Sequence, residues 1–575
     1  MSLDPTSFAV LNSAFGSFVN EMNLTLFRSA YSPVITEGRD IGGAVFDARG
    51  RLVAQGDWDL AVFVGMLEFS VQYVIRRHSV EPGDVFITND PFVGGTHFND
   101  VGVIRPVFAG SELVAFVAIC GHWPDVGGQE PGSFVADARE HFQEGLRIPP
   151  LKLYLRGEPN TAVFEIIESN MRVPNDRLGD LRAQVAATSV AEARLQEYAR
   201  RYGWGAMTEA MDRTIEYSDR LMRQAIHGIP NGVYRGEDAV DMESLERRTP
   251  KWIRLELTIE DACARFDFSE SDSESLSASN STLSSTASAV YVAMKSLFPE
   301  IPMNHGCFAP LEVIAPEGTI VNARPPRAVS NMAATVYEKV IGATLAAFAQ
   351  ALPQSAVGCP YNLINLTIGG HYRGKDYVAY LFSEGGFGAR ATKDGPAGLV
   401  SLYGGGAKIT PVEVMESRYP MMFDEWALWP DSGGPGRYRG GVGSRKTFRL
   451  LEGEARLSCL GDREKFPPFG VYGGRHGARH GLIANQGTDR ERDLTLKVSG
   501  YELHAGDSIT ILAGGGGGYG DAMTRDPNLV AADVAKGYVS SEGAARDYGV
   551  SISPKGVIDE AESERLRARL EAAQE

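Results

Sequence analysis

Residues 84–122 read DVFITNDPFVGGTHFNDVGVIRPVFAGSELVAFVAICGH. Three runs rich in Val, Ile and Phe, at 84–90, 101–108 and 113–120, are set apart by Gly, Asn and Asp, the pattern of short strands joined by turns. Upstream, IGGAVFD at 41–47 and RLVAQ at 51–55 repeat it, with turn signals at Asp47–Gly50 and at Pro82-Gly83. A helical pattern at about 61–78 interrupts the strands, and apolar residues at helical spacing (Phe8, Leu11, Phe15, Phe18, Val19, Met22, Leu26) predict an amphipathic helix over 6–31.

Beyond this region the pattern alternates between helix and strand. Residues 160–228 read as helical, 230–275 as strands, and 330–352 as a second long helix. From 353 to about 520 the chain is Gly-rich and strand-like, and the last 50 residues are helical and charged. The Ser-rich stretch 269–286 has the composition of a linker, yet it runs directly into the helical pattern AVYVAMKSLF; a flexible tether and a helix-capping loop are both open. The fold class expected is α+β, with several Gly-rich sheet regions and long packing helices. A length of 575 residues suggests about three or four domains. The segments expected are an α/β region at 1–160, a helical region at 161–230, a β segment with helices at 231–352, a Gly-rich β region at 353–525 and a helical tail at 526–575.

A net charge of −17 leaves no basic stripe to neutralise phosphates, which argues against a nucleic-acid partner. No run of eighteen apolar residues and no signal-peptide pattern are present, so neither a membrane span nor export is expected. Five scattered cysteines form neither a disulfide framework nor a zinc knuckle, which fits a reducing cytoplasm.

The chemistry concentrates between the strands. Gly94-Gly95 offers a turn, and His97 and Asp100 lie three apart, a spacing that puts both side chains on one side of a tight turn. His122 stands where the run LVAFVAIC ends, and Asp40 closes TEGRD beside the strand IGGAVFD. Rigid strands carry functional groups at such loop positions. Imidazole nitrogen with carboxylate oxygen suits zinc, manganese or iron(II). A single histidine beside an apolar run is more often structural; the grouping of two histidines, two acids and flanking glycines is what points to a metal. His78, His227, His476 and His480 lack such context, and His141, near Glu144, is intermediate. The glycine run at 514–518 lacks the Lys-Ser/Thr of a phosphate-binding loop and reads as a place where backbones approach closely.

In these motifs the chain resembles the hydantoinase B/oxoprolinase family. The resemblance rests on Arg39-Asp40, GRLVAQ at 50–55, PGDVFITNDPFVGGTHFND at 82–100, HWPDVGG at 122–128, EGLRIPP at 144–150, NMRVPNDRLGDLRAQ at 170–184, NHGCFAP at 304–310, PEGTIVN at 316–322 and GGGGYGD at 515–521. It implies an ATP-dependent enzyme of two kinds of subunit: a hydantoinase A-type partner that binds ATP and phosphorylates the substrate oxygen, and this chain, which carries one divalent metal on Asp40, His97, Asp100 and His122. Zinc is the favoured ion and manganese the other candidate. The chain departs from the family at Trp123, where relatives often have a second histidine, and at Asp57–Phe63, where they often have His-Ile-Pro-Val-His. Both departures bear on the substrate pocket.

The reaction this implies is hydrolysis of a cyclic amide such as a hydantoin, lactam or oxoproline. Asp125 or Glu144 is the candidate base or orienting group, since ligand histidines usually donate their second N–H to an acceptor. For Asp125, capping of the Asp-Val-Gly-Gly turn is the competing role. Two rivals stand beside this reading: a subunit of an ATP-dependent ketone carboxylase, and a non-catalytic scaffold for the ATP-binding subunit.

Overall fold

The computed structural model describes residues 3–244 and 246–572. It is an α+β structure of helices packed on several mainly antiparallel sheets. The first sheet holds the 84–122 stretch. Its strands are β1 (Ile41–Asp47), β2 (Leu52–Gln55), β3 (Val85–Thr88), β4 (Asp100–Ala109), β5 (Glu112–His122), β6 (Leu151–Leu155) and β7 (Glu158–Pro159), in the spatial order β2-β1-β5-β4-β3-β6-β7. Every residue of β1 is buried, and Ile41–Phe46 is an unbroken apolar run where a half-solvated strand would alternate.

One cover of this sheet is helix α1 (Pro5–Ser29), started by Asp4, whose side chain accepts the Thr6 and Ser7 N–H groups. Its stripe of Leu11, Phe15, Phe18, Met22 and Leu26 is fully or almost fully buried. The helix expected over 61–78 is divided: a single turn at Ala61–Phe63 leads to Gly65 at φ +67°, and only then does α2 (Met66–Arg77) begin. The region 160–228 is helical, ending in α3 (Pro174–Tyr202) and α4 (Trp204–His227); α3 packs against α1, β4 and β5.

A second sheet orders β8 (Gly232–Val240), β9 (Lys251–Glu260), β10 (Cys263–Asp267) and β11 (Leu311–Ile314) as β11-β10-β9-β8. In β9, Ile253, Leu255, Leu257 and Ile259 alternate inward as a one-sided strand requires. Of the two readings of the Ser-rich stretch, the structure shows the ordered loop. Ser275, Ser277, Ser279, Asn280 and Ser281 are buried, and the Asn280 amide donates to the carbonyls of Ser275, Ser277 and Ala328. The loop leads into α5 (Leu283–Leu297), and residues 333–337 form a π-helical turn before α6 (Glu338–Ala351).

In the Gly-rich region, β12 (Asn365–Tyr372) and β13 (Lys375–Phe382) pair as a hairpin and join strands Glu454–Leu460 and Lys497–His504. This sheet shares an apolar core with a five-stranded sheet containing Gly443–Leu450 and Ser508–Ala513. The run 514–518 is a close backbone approach, as its composition suggests. Gly517 N–H donates to the Cys359 carbonyl at 2.8 Å, and a Cβ on Gly440 would stand 1.9 Å from the Gly516 carbonyl oxygen. The last helices close a small separate core around Val530, Ala544, Tyr548 and Val550. Among the described residues no helix is long and apolar enough to cross a membrane.

Candidate metal centre

Three neighbouring strands bring the site together. β4 and β5 pair with Asp100 directly opposite His122, and β5 and β1 pair with Gly121 opposite Ile41. One step further along that second ladder, the His122 N–H donates to the Asp40 carbonyl at 3.0 Å. Asp40, His122 and Asp100 therefore form a row across the ends of β1, β5 and β4. Arg39, just before the row, has φ +56°, a left-handed backbone in which the chain turns sharply into β1. Its guanidinium lies over the rings of Phe27 and Trp58.

His97 enters from the loop 89–99. Its carbonyl accepts the Asp100 N–H at 3.1 Å, the tight turn that a spacing of three allows. The loop is clamped from several sides. The Asn89 amide donates to the carbonyls of Phe98 and Leu146, while its oxygen accepts the Ile148 N–H. Asp90 accepts from the Phe92 N–H and from Arg147, and Asn99 donates to the Trp123 carbonyl. Gly94 has φ +137°, and a Cβ there would lie 2.4 Å from the Ser70 backbone nitrogen. These clamping residues stand between the strands without being ligand candidates, and sequence reading passed over them.

His97, Asp100 and His122 each offer a ligand atom, all within 4.8 Å of one another, and all three residues are buried. Asp100 joins the two rings: Oδ1 lies 3.0 Å from His122 Nδ1 and Oδ2 lies 2.9 Å from His97 Nδ1. Asp40 lies outside that set of three. Its Oδ1 is nevertheless buried without a hydrogen-bond partner, as is His122 Nε2. Burial pushes the Asp100 carboxyl up, but the two histidines outweigh it and hold it well below the usual carboxylate range. Burial, with the Asp100 charge added, pushes Asp40 strongly up, and burial depresses His122 against the pull of Asp100. Two carboxylates are thus enclosed with two imidazoles, and three of their polar atoms, Asp40 Oδ1, His97 Nδ1 and His122 Nε2, have no hydrogen-bond partner. Buried polar atoms without partners are rare, and a divalent cation supplies both the missing partner and the countercharge. The donor set fits such an ion.

Residues far along the chain wall the cluster in. The Tyr380 ring of β13 lies 4.6 Å from the His122 ring, and its hydroxyl donates to Asn365 Oδ1. Tyr403 is buried nearby, its hydroxyl pushed up by burial and by the charges of Asp100 and Asp40. The Tyr403 carbonyl accepts the Val62 N–H, which ties this wall to the 57–63 segment. Nothing in the local sequence marked these tyrosines.

Glu144 is buried, and its carboxylate accepts the Val329 and Ser330 N–H groups. Burial pushes it up to about 7 despite those bonds and the nearby His97 charge. Asp125 is buried, accepting from the Gly127, Gly132 and Arg172 N–H groups and from Arg172 Nη1 at 2.8 Å. Four donors fill it, which is the turn-holding arrangement. Trp123 is fully buried, with Nε1 donating to Gln184 Oε1 at 3.0 Å. Of the 57–63 segment, Asp59 is buried and accepts the Gly43 and Gly56 N–H groups and the Asn23 amide. A cavity of about 710 Å³ lies elsewhere, between Trp252, Arg254, Arg463 and Phe466.

The profile of the hydantoinase B/oxoprolinase family matches residues 4–522. An uncharacterized protein of Methanocaldococcus jannaschii is 34% identical over 98% of this chain and 100% of its own length. The caprolactamase subunit beta of Pseudomonas jessenii is 31% identical over 99% of each chain. The crystal structure of that ATP-dependent caprolactamase superposes with a TM-score of 0.91, covering 99% of this chain and 100% of the other at 29% identity. An acetone carboxylase structure shares the fold with a TM-score of 0.89 at 20% identity, over 99% of this chain and 83% of that one.

Proposed function

Because the chain belongs to the hydantoinase B/oxoprolinase family, we propose that it is the metal-bearing subunit of a two-component, ATP-dependent enzyme that hydrolyses a cyclic amide of the hydantoin, lactam or oxoproline type. The observation that carries this is the buried convergence of His97, Asp100 and His122, with Asp40 in line beside them. The ATP step falls to a hydantoinase A-type partner: the chain's one long glycine run packs against its own backbone, and no phosphate-binding motif accompanies it. The likeness to an ATP-dependent caprolactamase supports the same division.

Asp40, His97, Asp100 and His122 would hold one divalent cation, zinc favoured over manganese. When bound, the ion supplies Lewis acidity and makes hydroxide available near neutral pH. The rest is done by side chains of this chain. Asp100 fixes the His122 ring through Oδ1 and places its Oδ2 charge 2.9 Å from His97 Nδ1. Tyr380 covers the His122 ring and keeps bulk water from it. Glu144, pushed up to about 7, holds or releases a proton near neutrality, which suits the acid–base role better than the fully occupied Asp125. Asp125 keeps the 125–132 turn in place.

The test is metal analysis of the purified chain, followed by ADP release with its ATP-binding partner over lactams, hydantoins, and ketones with bicarbonate. One ion per chain and bicarbonate-independent ADP release with a cyclic amide are expected. ADP release that requires bicarbonate would assign the chain to a ketone carboxylase, and full activity without metal would leave only the scaffold reading.

A further inference from the structure

The four candidate ligands are closed off from solvent. Asp40 is 3% exposed, His97 and Asp100 2%, and His122 1%, so in this conformation neither an ion nor a substrate reaches them. One part of the cover is regular structure: Tyr380 sits on β13, which is paired along its length with β12. The other part is irregular. Residues 400–407, VSLYGGGA, form neither helix nor strand. Tyr403 is buried on the inner side of this segment, whereas Gly406 and Lys408 are exposed on its outer side.

The segment hangs between two anchors. At one end Leu399 and Gly385 exchange backbone hydrogen bonds of 2.8 and 3.0 Å. At the other the Lys408 N–H donates to the Gly38 carbonyl at 2.8 Å, two residues before Asp40. Among the described residues, two backbone hydrogen bonds tie the span between them to the rest of the fold. The Gly405 and Tyr403 carbonyls accept the Ala61 and Val62 N–H groups, each at 3.0 Å. That receiving turn is held from behind, since the Ser288 hydroxyl donates to the Val62 carbonyl at 2.9 Å. It is therefore a fixed edge on which the segment rests. Inside, the Tyr403 ring meets Tyr337 edge-on at 5.4 Å, and the charges of Asp100 and Asp40 act on its hydroxyl.

The glycines add a second observation. Gly406, at φ +100°, suits the closed form because only glycine takes that backbone without strain. Gly405 has no such need: a Cβ there would stand 3.5 Å from the Ala61 Cβ, an ordinary contact. The closed packing leaves that glycine unexplained, while a segment that changes its backbone angles has a use for it. Opening would break two hydrogen bonds and leave every sheet ladder intact, which makes it a local event and not unfolding.

We propose that residues 400–407 are a flap, hinged at Gly404–Gly406 and latched on Ala61 and Val62, that carries Tyr403 off the cluster and admits ion and substrate. The route serves catalysis only on the reading that the cluster is the reaction centre; the motion itself does not depend on that reading.

Carbethoxylation of histidines by diethyl pyrocarbonate on the metal-free full chain, read by peptide mass spectrometry, tests the flap. Ala61→Cys with Gly405→Cys places two Cβ atoms where a disulfide can form, at about 3.5–4.5 Å. With the thiols reduced, His97 and His122 are expected to react. Closing the disulfide with oxidised glutathione should slow both by about tenfold or more. His371 and His504, with side chains 64% and 60% exposed, should keep their rates. Gly405→Ala, which fits the closed form, should slow His97 and His122 by about two- to fivefold. In the unsubstituted chain the Ala61 and Val62 amides should exchange with deuterium faster than the paired amides of β5; should the cysteine pair not fold, this and Gly405→Ala decide. Equal histidine rates with the disulfide open and closed would overturn the proposal. So would unreactive His97 and His122 in the reduced variant, or Ala61 and Val62 amides as protected as those of β5. A chain that binds no ion fails metal analysis and leaves these metal-free measurements readable.

Discussion

Asp40 and His122 lie in line across the β1–β5 ladder, the His122 N–H donating to the Asp40 carbonyl oxygen at 3.0 Å. Because the Asp100–His122 pair extends the same row to β4, the spacing of three of the four candidate ligands is fixed by sheet geometry before any ion arrives. The fourth, His97, depends on a clamped loop.

Asp100 touches both histidines, so its loss should be the most damaging single change at the centre. Asp100→Ala is expected to lower metal affinity by more than the roughly 10–100-fold typical of an outer-shell partner, and to remove activity with the ATP-binding subunit. Metal content after gel filtration measures it. Retained metal would show that Asp100 orients rings without binding.

Binding should also be visible as stability. Chelation is expected to lower the unfolding midpoint, and zinc or manganese in roughly hundredfold excess over Kd to restore about 2.7 kcal/mol. A thermal scan at fixed pH reads this; an unchanged midpoint would mean the cluster holds no ion.

Glu338, buried at the start of α6, is pushed up to about 7 mainly by burial, against the hydrogen bond its carboxylate accepts from the Leu363 N–H. Its folded value exceeds its unfolded one, so its contribution is fully present below about pH 4.5 and is lost as pH rises through about 7. Over that window it should remove up to about 3 kcal/mol, and Glu338→Gln should flatten the slope. Urea midpoints at pH 5 and 7.5 decide the matter.

Trp123→Phe keeps an aromatic ring but leaves part of the indole's space empty and orphans Gln184 Oε1. A loss of about 1–3 kcal/mol in stability is expected, with metal content and KM unchanged. A shift in substrate preference would instead return Trp123 to the pocket.

In the glycine layers, Gly440→Ala would force a Cβ to within 1.9 Å of a carbonyl oxygen and should prevent folding, whereas Gly487→Ala, also a glycine but in open space at φ +78°, should cost only about 1–2 kcal/mol. Soluble yield and unfolding midpoints of the two variants make the comparison.

The α+β class and the strands around 41–122 were legible because alternation, turn residues and apolar runs are local signals. His97, Asp100 and His122 were legible for the same reason: each sits at a strand end or a tight turn that short motifs reveal. The walls were not. Tyr380 and Tyr403 reach the cluster from the Gly-rich half of the chain, where no period points toward a partner some 260–280 residues away. At the departures, Trp123 and Asp59 are both bonded into the interior, Trp123 to α3 and Asp59 to β1, ties that no local pattern reveals. The Ser-rich stretch carried a linker's composition but spends its hydroxyls and amide inside the fold.

Tyr380 pressing on His122 has a consequence for how such a centre is inherited. The candidate ligands occupy fewer than one hundred consecutive positions, from Asp40 to His122, and that segment could travel as a cassette. Its enclosure could not, because the lid is made by a hairpin about 260 residues downstream of His122. A fragment ending before β13 would own the binding groups and lack the dry chamber that gives them their character; the unit on which selection acts is the full length of chain between them.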